Sequence, residues 1–122
     1  MADTQKLVFM VLHGPDHPEH ATIPFVMGCA ALASDVEVVL GFQADGVELA
    51  RTGVADGIHA AGFPPLVKLL SDFRELGGSI LVCGPCITSR GITAPDLVEG
   101  AEVVAAGRFI AEITSATNSL VY

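Results

Sequence analysis

Three largely apolar runs without strict alternation, Lys6–Leu12 (KLVFMVL), Val36–Phe42 (VEVVLGF) and Ser79–Cys83 (SILVC), most constrain what this chain can fold into. Strands that show apolar side chains at successive positions, rather than alternate ones, are buried on both faces. Such strands need helices above and below them. The intervening segments supply these. Ala21–Ala33 reads as a helix, with Pro24 early in it and the small residues Gly28, Ala30, Ala31 and Ala33 for close packing. Pro64 and Pro65 open a second helix through Leu76, whose Leu66, Leu69, Leu70, Phe73 and Leu76 follow a three/four spacing that Gly77-Gly78 ends.

The smaller elements complete the pattern. Gln43–Gly46 is a turn and Val47–Arg51 the start of a short helix, while Thr52–Gly62 carries no clear signal. Ala101–Val104 reads as a strand, Gly107–Ser115 as a helix and Ser119–Tyr122 as a closing strand. The order β-α-β-α-β-turn-β-α-β predicts an α/β fold, a mostly parallel five-stranded sheet with helices on both faces. At 122 residues, with no repeat or linker, residues 1–122 are expected to form one domain. Tryptophan is absent, so the core is expected to be aliphatic.

Charge narrows the function. Fourteen acidic against six basic side chains leave a net charge of −8, which repels phosphate backbones and argues against nucleic-acid binding. No apolar run approaches the roughly 20 residues of a membrane span, and Met1–Lys6 lacks a signal layout. A soluble cytoplasmic protein is the expectation. Three cysteines, Cys29, Cys83 and Cys86, are too few for a secreted disulfide framework and are expected to be thiols.

The chemistry concentrates after the third strand, in Cys83-Gly-Pro-Cys86-Ile-Thr-Ser-Arg90-Gly91. Open α/β sheets build their sites at the carboxyl ends of strands. If Pro85 takes the first helical position, Cys86 falls in the first turn of a short helix ending at Gly91. Free amides and the positive end of the dipole there favour thiolate over thiol, lowering the pKa from about 8.5. Arg90, four residues on, shares the helix face and is placed to hold an anionic sulfur. Cys-Gly-Pro-Cys is also the spacing of thioredoxin-type oxidoreductases, but here it lies two-thirds along the chain and only a few residues before Gly91. One C-x-x-C without a second pair is an incomplete zinc set.

This loop resembles that of the DsrE/DsrF-like family, which includes the YchN-like and TusD-like sulfur-relay proteins. The opening strand with His13-Gly-Pro-Asp16, the Asp45-Gly46-Val47 turn and the Asp96–Gly100 to Gly107 tail add to the resemblance. It implies a small α/β/α sandwich assembling into homo- or hetero-oligomers, commonly trimers or hexamers. It also implies a persulfide carried on the cysteine before Arg-Gly, which by motif is Cys86.

Three histidines, His13, His17 and His20, share the loop after the first strand. His13, nearest the strand, is expected to face the cysteines and assist proton transfer; His17 and His20 are expected to be solvated, and Asp45-Gly46 simple turn chemistry. The combined expectation is a sulfurtransferase-like persulfide carrier with Cys86 as nucleophile, Cys83 as a resolving or protecting thiol and Arg90 stabilising anionic sulfur. Its partners would be sulfur donor and acceptor proteins, and no organic cofactor or metal is required. Two alternatives stand beside it: a Cys83/Cys86 disulfide switch, and a non-enzymatic oligomeric binding module with structural cysteines.

Overall fold

The computed structural model of the protein describes residues 4–122. Five strands, β1 (Lys6–Val11), β2 (Glu37–Phe42), β3 (Ser79–Cys83), β4 (Ala101–Val104) and β5 (Asn118–Val121), form one sheet in the order β4-β3-β2-β1-β5. Every pairing is parallel, as the unalternated runs predict. In β1 to β3 side chains alternate between two apolar faces. Phe9, Val11, Val38, Leu40, Ile80 and Val82 join the larger core, while Val8, Met10, Val39 and Leu81 join a smaller one. Burying each such side chain contributes roughly 1.5–3 kcal/mol.

Helices α1 (Pro18–Ala33) and α2 (Leu66–Glu75) cover the larger face. In α2 the predicted stripe is buried through Phe73, but Leu76 lies just past the helix and is exposed. One helix, α4 (Ala106–Thr114), serves the opposite face. It links the two edge strands β4 and β5, so the chain crosses the sheet with it, and Phe109 packs on Val8, Met10, Val39 and Leu81. Arg108 bonds both Glu102 and Glu112, and Lys6 reaches Glu112 from β1, tying the helix to the sheet. Lys6 and then Arg108 hold the Glu112 carboxyl below its ordinary range. The fold is therefore a three-layer α/β arrangement.

Several boundaries differ from the sequence reading. Helix α1 starts at Pro18, three residues before the predicted Ala21, with His17 as its N-cap. Proline at the first helical position loses no hydrogen bond and has its φ already set, so the loop is shorter than composition suggested. The predicted helix Val47–Arg51 is a tighter 3-10 turn over Ala44–Ala50, and Ala55–Gly57 and Ala94–Asp96 add two more. Thr93 and Asp96 form a reciprocal capping box at the last of these. Among the described residues no helix is long and apolar enough to cross a membrane.

Candidate functional site

The sheet order sets β1, β2 and β3 side by side, so the loops after them meet at one edge. The loop after β3 turns at once into α3 (Gly84–Thr88), with Cys83 as its N-cap and Cys86 as the third helical residue. Pro85 suits this first turn because the amide it lacks would be unpaired there. Gly91, at φ +69°, closes the turn: the Ile92 amide donates to the Ile87 carbonyl at 2.9 Å and fixes the loop's exit.

The Cys86 sulfur receives its hydrogen bond from outside its own helix. The backbone N–H of Ala44, in the loop after β2, donates to Cys86 Sγ at 3.3 Å. Ala44 opens the 3-10 turn, so its amide has no partner within that turn, and it sits at φ +51°, a left-handed conformation that costs a non-glycine residue about 1 kcal/mol. An amide donor held in this way suits an anionic sulfur better than a neutral one.

Arg90 lies beside this contact. Its Nη1 donates to the Cys86 carbonyl at 3.1 Å and its Nη2 to Asp45 Oδ1 at 2.8 Å. The helical spacing thus brings Arg90 to Cys86, but its hydrogen bonds go to the carbonyl and to Asp45. The donor that reaches the sulfur is the Ala44 amide. Neither Ala44 nor Asp45 stands out in the sequence as more than a turn, because a backbone N–H has no residue-type signature. The usable signal is topological: the loop after β2 must neighbour the loop after β3.

This middle loop is tightly seated. A Cβ on Gly14 would stand 2.6 Å from the Asp45 carbonyl oxygen, and one on Gly46 would overlap the Val11 carbonyl oxygen. Both glycines let the loop press against the end of β1. A chain of contacts therefore runs from the loop after β1, through Asp45, to Arg90 and Cys86.

The remaining thiols differ from Cys86 in their surroundings. Burial pushes the Cys83 thiol up, the Cys86 sulfur adds to this, and Arg90 opposes it. Burial and Asp72 likewise raise Cys29, whose Sγ donates to the Leu69 carbonyl at 3.6 Å between α1 and α2. All three cysteines are free thiols.

His13 stacks with His17 and His20, its ring centroid 4.8 Å from each. The early start of α1 places His17 and His20 in register on its first turn, where they meet His13. No hydrogen bond joins His13 to either Cys83 or Cys86 among the described residues. No group of three or more His, Cys, Asp or Glu residues among those described is arranged to hold a metal ion. Two surface hollows lie elsewhere, one by Arg74, Glu99 and Gly100 and one between α1 and α2 beside Cys29.

Comparison with known proteins gives a consistent picture. The model of the DsrE/DsrF-like family matches residues 5–122. The chain is 27% identical over 117 residues to the uncharacterized protein MJ0989 of Methanocaldococcus jannaschii, covering 96% of this chain and 99% of that one. It is 32% identical over 97 residues to MJ0760 of the same organism, covering 80% of this chain but 35% of that longer protein. Among solved structures, the YchN protein of E. coli superposes with a TM-score of 0.81 at 19% identity, over 98% of this chain and all of that one. MTH1491 of Methanobacterium thermoautotrophicum, a protein of unknown function, gives 0.70 at 18% identity over 95% and 98%. At such identities the structural likeness is one of fold. The family match over almost the full length, on a sheet of this order, places the chain in the DsrE/DsrF-like family.

Proposed function

We propose that this protein is a persulfide carrier, a sulfurtransferase-like domain spanning the chain, with Cys86 as its nucleophile. The observation that carries the reading is the Ala44 amide on Cys86 Sγ, with the Arg90–Asp45 pair alongside, at the carboxyl edge of the sheet. The Cys86 thiolate attacks the outer sulfur of a donor persulfide, the donor's S–S bond breaks, and its thiolate leaves. Cys86 is then Cys86–S–SH. An acceptor thiolate attacks the same outer sulfur and Cys86 leaves as thiolate. Neither step changes the overall oxidation state, and no metal or organic cofactor enters.

Arg90 and the Ala44 amide supply positive charge and a donor where anionic sulfur forms. The family membership supports donor and acceptor proteins as partners. An open sheet edge suits a thiol presented on another protein. Self-association as a trimer or hexamer is part of the proposal, and exposed Ile110 on α4 and Val121 on β5, at 59% and 67%, offer apolar surface for it. Free thiols fit a cytoplasmic setting. His13 is retained as an accessory group only, through the Gly14–Asp45 contact next to it.

The test is incubation of the full chain with a small-molecule persulfide, followed by intact mass and fragmentation. The expected result is a gain of one sulfur atom located on Cys86. No gain together with no release of sulfide, or a gain confined to Cys29, would contradict the proposal.

A further inference from the structure

We propose that Cys83 unloads Cys86 within the same chain, converting the carried sulfur to hydrogen sulfide and leaving a Cys83–Cys86 disulfide. This rests on the persulfide reading above and gives the site a second outlet besides transfer to an acceptor.

The geometry of the α3 start carries the inference. Cys83 ends β3 in an extended conformation (φ −64°, ψ 117°) and caps the helix, while Cys86 is its third residue. Three residues of helix advance about 4.5 Å, which together with the radius of the turn puts such Cα atoms within the span that a disulfide bridges. Both side chains are half-buried. Cys83 packs against the cores on both faces of the sheet and Cys86 against the larger one alone, so a thiol on another protein meets Cys86 more readily than Cys83. The second cysteine is thus a neighbour of the loaded sulfur rather than a competitor for the donor.

The step balances. Cys83 loses its proton to solvent and its thiolate attacks the inner sulfur, Cys86 Sγ. The bond from Sγ to the outer sulfur breaks, and the outer sulfur leaves as hydrosulfide. That sulfur is reduced by two electrons and the two cysteine sulfurs are oxidised to a disulfide, so the persulfide itself is the oxidant. Restoring the thiols takes a dithiol reductant, which names a further class of partner. Because burial and the Cys86 sulfur keep Cys83 protonated at neutral pH, with Arg90 as the opposing charge, the load survives long enough to be passed on.

The experiment uses wild type, Cys83→Ser and Cys83→Ala, each loaded with a small-molecule persulfide and freed of excess reagent. Serine is a good N-cap and alanine a small one, so the pair guards against a folding defect in either. Wild type is expected to release sulfide and accumulate the internal disulfide, seen by mass. Both variants should hold the persulfide at least tenfold longer. Sulfide and disulfide from wild type with a visible persulfide only in the variants is the fast limit of the same result. Equal lifetimes in all three, without an internal disulfide, would overturn the inference and leave the carrier reading standing. No loading and no sulfide release in any of the three would overturn both.

Discussion

Cys86→Ser is expected to leave the fold intact and to reduce sulfur loading to background. Serine is close to cysteine in size, and its hydroxyl oxygen can accept the Ala44 hydrogen bond that the sulfur accepts now. The position is half-buried and no core side chain changes, so the stability should move by less than about 1 kcal/mol. A hydroxyl, however, does not form the persulfide. Loading should therefore fall at least ~100-fold, the order of effect seen when a covalent nucleophile is removed. The pair of measurements is thermal unfolding and sulfur uptake by mass. A variant that unfolds like wild type and still takes up sulfur at the wild-type rate would reassign the carrier.

Gly46→Ala is expected to have the largest effect on stability and to slow Cys86 without touching it. The added Cβ would overlap the Val11 carbonyl oxygen, a backbone atom at the end of β1 that already accepts from the Gln43 amide at 3.1 Å. Neither side of that contact is a flexible side chain, so the loop after β2 must move. Overpacking of this kind costs about 3 kcal/mol, or roughly 10 °C in the unfolding midpoint of a domain this size. Moving the loop draws the Ala44 amide from Cys86 Sγ and Asp45 from Arg90, so alkylation of Cys86 should slow as well. A variant with wild-type midpoint and wild-type alkylation rate would show that the loop is not held as described.

The strength of that second expectation depends on residues the sequence does not advertise. The strands β1 to β3 are legible because burial on both faces leaves a largely apolar run without strict alternation, and β4 is legible to the residue. Helix α3 is legible from Pro85 in its first turn, but it starts one residue earlier, at Gly84, and ends at Thr88 rather than at the expected Gly91, because Gly91 closes the turn beyond the helix. The start of α1 was legible in principle, since Pro18 is a good first helical residue, but histidines and acidic groups around it read equally well as loop. The 3-10 turn at Ala44–Ala50 shows no helical periodicity long enough to detect.

The site was half legible for the same reason. Cys86 and Arg90 announce themselves by type and spacing, whereas the Ala44 amide and the Asp45 partner arise only when β2 lies beside β3. The four-residue spacing brings Arg90 to Cys86, yet a guanidinium offers several donors, and spacing alone does not say which acceptors take them. The stacking of His13 with His17 and His20 follows from where α1 begins, so it is no more legible in the sequence than that boundary.

The account stands on Cys86 being the reactive thiol of three, and competitive alkylation measures that directly. Limiting iodoacetamide at neutral pH, with the sites of modification resolved by mass, should label Cys86 first. Cys83 and Cys29, both pushed up by burial, should lag behind it. Labelling of Cys29 or Cys83 ahead of Cys86, or all three at one rate, would contradict the account.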